Sequence, residues 1–310
     1  MKKTPLLEIQ SRVRAGLGHA FFGVDSPQPD YRGKVRDVFY KDSELLIVTT
    51  DRVSAFDVVL GTVPYKGSLL TEQAVFWLEK SKPVIANHLL ERVDARTMRC
   101  QKAEPFKVEM IVRGFLAGSL LREDPLTRGQ AYGLTLDPAL KAYQAFETPI
   151  VTPTTKADVG LHDEPISLAQ VVSMGLATQE QVDEIFASAI ALFKLGSAFA
   201  KEQGLLLVDT KYEFGLVNGK VTLIDEIHTA DSSRYWISST YHDRIAAGKS
   251  PDMLDKERLR KTLIEKGYDG HNMASLPKLD DDMRVDLACH YWQLTEQLTG
   301  QRFETEAVGS

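Results

Sequence analysis

Apolar residues along this chain recur at two different spacings, and the places where the spacing changes mark its elements. Short runs rich in β-branched and aromatic residues at 31–40, 45–50, 107–112, 205–208 and 221–224 predict strands, the first two joined by a polar turn at 41–43. Elsewhere the spacing is helical. Ala74, Val75, Trp77 and Leu78 predict a helix over 71–81 that Pro83 stops. Thr178 and Gln181 have the spacing of a capping box, after which Val182, Ile185, Phe186, Ala189, Phe193, Gly196 and Ala200 share one face of a long helix that Gly204 ends. A shorter helix is predicted from 255 to a stop at Gly267, and Met283, Leu287, Tyr291, Leu294 and Leu298 predict a last one over 282–299. Before the first strand lie a loosely amphipathic start and an exposed connector over 23–30 containing Pro27 and Pro29.

The segment 204–234 breaks the usual division between apolar strand and polar loop, because charges stand inside what otherwise reads as a buried hairpin turning at Asn218-Gly219. Asp209, Lys211 and Glu213 alternate along the first strand, so they share one face, with Thr210, Tyr212 and Phe214 on the other. Counting back from a two-residue turn sets Asp225 opposite Tyr212, on the wrong face to join that row. A bulge at Phe214 and Gly215 would shift the register and bring Asp225 beside Lys211, and such a bulge is expected. One D-x-K-x-E strand by itself is ordinary solvated sheet. With I-D-E on the second strand and D-S-S-R after it, three carboxylates around one lysine read better as ligands for a hard cation such as Mg²⁺, which takes one or two carboxylates plus substrate phosphates.

Composition narrows the class of partner. The 310 residues are 43% apolar and 26% charged, enough for two domains or one large one. A formal net charge of −6 argues against a nucleic-acid footprint, so the cluster Arg32, Lys34, Arg36 is expected to meet small phosphorylated ligands. Cys100 and Cys289 make no CxxC pair, which suits a reducing, cytoplasmic setting and argues against structural zinc. No apolar run approaches the roughly 18 residues of a membrane span, and the start is not that of a signal peptide. Oligomeric state is not legible in these patterns.

Four further stretches carry candidate chemistry. Gly33 between Arg32 and Lys34 would let backbone approach a phosphate, although an edge strand with charged gatekeepers accounts for it equally well. The rim D-R-V-S-A-F-D at 51–57 ends in Asp57, either a ligand or a turn carboxylate. In R-G-F-L-A-G-S, Arg113 and Ser119 surround a glycine-rich turn suited to a carboxylate or phosphate, or to a hinge; a domain boundary is placed there, giving 1–112 and 113–310. The 124–149 stretch looks like a surface insertion. It leads into T-P-T-T-K, where prolines stiffen a loop presenting Lys156. Lys256 and Arg260 stand one turn apart on a helix and could hold a phosphate or simply be solvated.

Taken together, GKVRD, DRVSAFD, VRGFLAGS, TPTTKAD, DTKYEFG, DEIHTADSSRYW and LDKERLR occur in an order and spacing that closely resembles the SAICAR synthetase family, over roughly residues 30–300, with a length like that of its longer, yeast-like members. Ile227-His228-Thr229-Ala230 stands where Val-Leu-Thr-Pro is more usual in that family. The resemblance implies an α+β fold, with an antiparallel N-terminal sheet over a larger C-terminal domain and ATP in the cleft, related to kinases and ATP-grasp enzymes. It implies ATP, CAIR (the carboxylated aminoimidazole ribotide) and L-aspartate as substrates, with Mg²⁺. Residue by residue it puts Gly33, Lys34, Val35 and Arg36 over the phosphates, and Glu109, Met110 and Val112 at the adenine through backbone. Glu213 and Asp225 fall on the metal, Arg113, Ser119, Arg234, Lys256 and Arg260 on the ribotide, and Asp57, Lys156, Asp209 and Lys211 near the reacting carboxylate. A carboxylate is a poor electrophile, so phosphorylation to an acyl phosphate before attack by the aspartate amine is the expected course, with Asp209 or Asp57 as candidate base. The rivals are a kinase or ATP-grasp ligase acting on another carboxylate, and a silent nucleotide-binding module.

Overall fold

The computed structural model describes residues 3–56, 58–156, 163–254, 257–268 and 276–304. In chain order the elements are α1 (Leu6–Gly16), β1 (Tyr31–Arg32), β2 (Arg36–Lys41), β3 (Glu44–Thr49), β4 (Arg52–Ala55), β5 (Val58–Thr62), α2 (Lys66–Ser81), β6 (Leu89–Arg92) and β7 (Thr97–Gln101). There follow β8 (Glu104–Phe115), α3 (Gly118–Arg122), β9 (Ala145–Thr155), α4 (Leu168–Ser173), α5 (Gln179–Glu202), β10 (Leu205–Val217), β11 (Lys220–Ile224), β12 (Ser233–Ile237), α6 (Ser238–Ala246), α7 (Glu257–Glu265) and α8 (Asp281–Thr299).

Two antiparallel five-stranded sheets result, as the α+β expectation requires. The first runs β1-β2-β3-β7-β6; the second runs β11-β10-β8-β9, with β12 pairing the first half of β10, and β4-β5 is a separate ladder. The capping box at Thr178 and Gln181 forms and opens α5, which packs its Ile185, Ala189, Leu192 and Phe193 into one core with Met110, Val112, Tyr212 and Phe214 of the second sheet. Burial of each of the larger aliphatic and phenyl side chains among these contributes about 1.5–3 kcal/mol. Phe186 is a minor exception, 39% exposed. With that face of the sheet filled by core, the alternate residues of β8 and β10 are left for chemistry.

Several boundaries differ from expectation for physical reasons. β8 runs unbroken through Val112 and Arg113, so the change of sheet falls between Gln101 and Glu104. Nor do the first 112 residues stand apart: Thr4 donates twice to Glu296 of α8, at 2.8 and 2.6 Å, and Ile9 and Val13 of α1 lie in the same core as α8. α2 begins at Lys66 because Asp51, sixteen residues away, accepts the Gly67 N–H at 2.8 Å and does the work of a cap that local sequence lacks. Gly67 is obligatory there, since a Cβ would lie 2.4 Å from the Thr49 carbonyl. T-P-T-T-K is the end of strand β9, and Pro149 and Pro153 are tolerated because β9 is a sheet edge. Within the supposed surface insertion, Tyr132 joins Leu116 and Leu120 in a small core of its own.

The expected bulge is on the other edge of β10. Its ladder with β11 is regular, Glu213 to Ile224 and Gly215 to Thr222, whereas its ladder with β8 shifts between Glu213 and Gly215. Gly215 is needed for close approach: a Cβ there would lie 2.8 Å from the Glu104 carbonyl oxygen.

Candidate active site

On the face of the second sheet turned away from α5, cross-strand pairing sets Glu109 against Glu213 and Arg113 against Asp209. Two like charges directly opposite are destabilising unless something stands between them. Lys211 does, with Nζ 2.9 Å from Glu109, in contact with Glu213, and 3.7 Å from Asp225. Lys156, delivered by the end of β9, pairs with the other oxygen of Glu213. Burial works against the charge on Lys211, but Glu213, Glu109 and Asp225 outweigh it and hold the amine well above the ordinary lysine value. Burial likewise opposes the Glu213 carboxylate, yet Lys211 and Lys156 hold it below the usual range. Burial raises Glu109, only partly offset by Lys211. Lys211 is thus a fixed cation, suited to neutralising phosphate oxygens rather than to acting as base or nucleophile.

Asp225 reaches this row by its own backbone. It lies just past β11 with φ at 62°, a left-handed conformation that aspartate tolerates better than most residues, and this turns its carboxylate towards Lys211 and Arg36. The expected neighbourhood is therefore present and the expected cause is not. Arg36 spans Asp225 and Glu226; burial opposes its charge, but those carboxylates raise it above its ordinary value. It serves here as a counter-ion to Asp225 and Glu226, a pairing the sequence did not suggest. Beside it, Gly33 and Lys34 turn their carbonyls towards Arg52, which donates to both and to Asp37. Arg52 is 2% exposed and supports the phosphate-loop candidate from behind; Asp51 is engaged with Gly67, Phe21 and Arg96.

The other end of the face carries a cluster of two guanidiniums around Asp209. Arg113 donates to Thr152 at 2.8 Å and Ser119 at 3.2 Å and stands 3.5 Å from Asp209. Arg234 grips Asp209 through both oxygens, at 2.8 and 2.7 Å. Burial lowers Arg113 despite Asp209, though a guanidinium remains charged. Asp209 is held by two guanidiniums, which fix the orientation of its carboxylate. Gly118, at φ 60°, makes room for Arg234.

Not every candidate arrives. Met110 and Val112 lie in central strand β8, paired with β9 and β10 and with side chains at 1% and 0% exposure, so neither brings a side chain to this face; Glu109 lies in the same ladders and presents a carboxylate to Lys211. Val35 accepts at its carbonyl from the N–H and hydroxyl of Thr50. Arg260 packs over the Phe56 ring at 6.0 Å. Asp57 and Lys256 lie outside the described residues. Glu109, expected at the adenine, faces Lys211 instead, a placement recoverable from the strand period that sets Glu109 and Arg113 on one face of β8. Glu226 lay within I-D-E and Arg52 within the rim read at 51–57, but nothing local paired Glu226 with Arg36 or Arg52 with the Gly33 and Lys34 carbonyls.

Among the described residues no group of three or more His, Cys, Asp or Glu side chains is assembled that could hold a metal by itself. Two oxygen-donor carboxylates, Glu213 and Asp225, flanking one ammonium do fit a hard cation whose remaining ligands are phosphate oxygens and water. No helix among the described residues is long and apolar enough to cross a membrane.

A model of the SAICAR synthetase family matches residues 30–275. Phosphoribosylaminoimidazole-succinocarboxamide synthases of Legionella pneumophila and Bacteroides thetaiotaomicron are 41% and 42% identical over 278 residues, covering 88% and 89% of this chain and 88% of each relative. The structure of SAICAR synthase from Saccharomyces cerevisiae complexed with SAICAR superposes with a TM-score of 0.78 at 31% identity, covering 91% of this chain and 98% of that one.

Proposed function

This chain belongs to the SAICAR synthetase family, and from that premise we propose that it ligates L-aspartate to CAIR with ATP, giving SAICAR, ADP and phosphate in de novo purine biosynthesis. The observation that carries this is the continuity of two chemistries on one sheet face: the cation-balanced carboxylate row at Lys211 and Glu213 runs directly into the guanidinium pocket at Arg113, Asp209 and Arg234. A nucleotide-only module has no use for the second part.

In this scheme Arg113, Ser119 and Arg234 take the anionic groups of the ribotide and turn its carboxylate towards the row. Lys211 and Lys156 neutralise charge as the γ-phosphoryl group passes to that carboxylate, forming the acyl–oxygen–phosphorus linkage and releasing ADP. The aspartate amine then attacks the acyl carbon, the C–O bond breaks, and phosphate leaves carrying the proton the amine loses. Glu213 and Asp225 would hold Mg²⁺, which supplies Lewis-acid neutralisation of phosphate oxygens when bound. Buried, unpaired Cys100 and Cys289 suit the cytosol; burial pushes the Cys100 thiol up to about 12, away from redox chemistry.

The test is SAICAR formation with CAIR, ATP, Mg²⁺ and L-aspartate, each omitted in turn, for the wild type and Asp225→Asn. Product should require all four, and Asp225→Asn should lose at least about a thousandfold in kcat, roughly 4 kcal/mol of barrier, with its fold intact. No SAICAR with all four present would overturn the proposed ligation, and near-normal Asp225→Asn would overturn the metal role given to that residue.

A further inference from the structure

The loop between β11 and β12 carries Asp225 and Glu226 and leads to Arg234, and it holds two non-glycine residues in left-handed backbone, Asp225 at φ 62° and His228 at φ 56°. Such backbone persists only where the surroundings over-determine it. Two helices outside the sheet supply part of that constraint. Gln73 of α2 accepts the Ala230 N–H at 2.8 Å and donates to Thr295 of α8 at 2.7 Å. Lys66, seven residues earlier on α2 and so on the same face, donates to Asp231 Oδ2 at 2.7 Å. Tyr291, one turn before Thr295 on α8, donates to the other oxygen of Asp231. Lys66, Gln73, Tyr291 and Thr295 are all buried, although nothing in the ligation chemistry uses them. α8 also lies beyond the 30–275 span matched by the family model.

We propose that these four side chains are positioning residues: a buried polar clamp, half on α2 and half on α8, that fixes the 225–232 loop and thereby sets where the carboxylate of Asp225 stands. The proposal rests on the role given to Asp225 above. The clamp acts through Ala230 and Asp231 and not on substrate, so loosening it displaces a metal-site carboxylate without weakening the grip on ATP itself. Its signature is a fall in kcat and a higher Mg²⁺ requirement at nearly constant KM for ATP.

Removing Lys66 alone leaves a buried, poorly compensated carboxylate and invites misfolding, so it is not the variant of choice. Tyr291→Phe deletes one hydroxyl and Gln73→Met keeps side-chain length. In folded protein, checked by circular dichroism, each is expected to lower kcat about tenfold and raise half-saturating Mg²⁺ about threefold, with KM for ATP within about twofold of wild type. If Gln73→Met does not fold, Tyr291→Phe decides. A merely structural role would lower the unfolding midpoint of Tyr291→Phe but leave kcat and the Mg²⁺ curve of the folded enzyme unchanged, and that result overturns the clamp. An active Asp225→Asn in the same assay would instead strike the metal-site assignment, so the two failures are distinguishable.

Discussion

Gly118 shows how little room a single residue has beside the Arg113, Asp209 and Arg234 cluster. Its φ of 60° is left-handed, and a Cβ there would lie 2.7 Å from the guanidinium of Arg234. The obstructed atoms are the end of a long side chain, so an added methyl moves Arg234 before it moves backbone. Arg234 would then lose its two-oxygen grip on Asp209. Gly118→Ala is therefore expected to raise KM for CAIR about tenfold while KM for ATP stays within about twofold, and to cost about 1–2 kcal/mol in urea unfolding from the left-handed backbone. Equal changes for both substrates would mean that the turn supports the fold and not the pocket. At this scale the sequence was half legible. The glycines of R-G-F-L-A-G-S marked a turn, read as suited to an anion or to a hinge, but which guanidinium lies over Gly118 depends on β12, more than a hundred residues away. Asp225 was harder still, because a one-residue change of φ leaves no trace in a pattern of apolar and polar positions.

Strand β10 is where local pattern and long-range pairing meet. Its D-x-K-x-E alternation and the Asn218-Gly219 turn gave the correct hairpin and the correct polar face, since both follow from the two-residue period. The irregularity at Gly215 was also legible as a glycine in a strand, but sequence cannot say which edge of the strand it disturbs. That edge is set by β8, whose register shifts where Pro105 faces Gly215. Placing the shift there matters for what a substitution does. Gly215→Val would drive Cβ into the Glu104 carbonyl, and backbone cannot swing aside as a side chain does. The strands must separate, and with them the adjacent cross-strand pair of Glu109 and Glu213 that Lys211 bridges. Gly215→Val is expected to cost about 2 kcal/mol or more in unfolding free energy, with a several-fold higher Mg²⁺ requirement in the folded fraction. Wild-type stability would show that β8 and β10 can slip past this point freely. Loss of stability with an unchanged Mg²⁺ curve would show that the disturbance stops before Glu213.

Across the whole molecule the least legible feature was how the chain divides. The elements themselves followed from periodicity, but a strand pattern does not say which sheet a strand joins, and the ends of the chain clasp through α1 and α8 by contacts such as Thr4 to Glu296 that have no local signature. One consequence of that packing can be measured as global stability. His228 sits where α2, α5 and the second sheet meet: its ring is edge-on to Trp77 at 4.7 Å, hydrogen-bonded to the Tyr212 hydroxyl at 2.6 Å, and so close to α5 that a Cβ on Gly196 would lie 2.4 Å away. Burial pushes its pKa down from 6.5 to about 3, so the folded protein keeps His228 neutral. The unfolded chain takes up a proton below about pH 6.5 and the folded one does not until about pH 3, so the unfolded state binds more protons throughout that window and stability falls as pH falls through it. Urea midpoints should therefore drop steadily from pH 7 to 4.5. His228→Leu installs the residue more usual at this place in the family and removes the titration; it forfeits the Tyr212 hydrogen bond at every pH, so the comparison lies in the slope and not in the absolute midpoint. The variant's acid-side decline should be visibly shallower than that of the wild type. Parallel declines would mean that the acid sensitivity belongs to other groups, and that His228 is not held neutral by the packing of α2 and α5 around it.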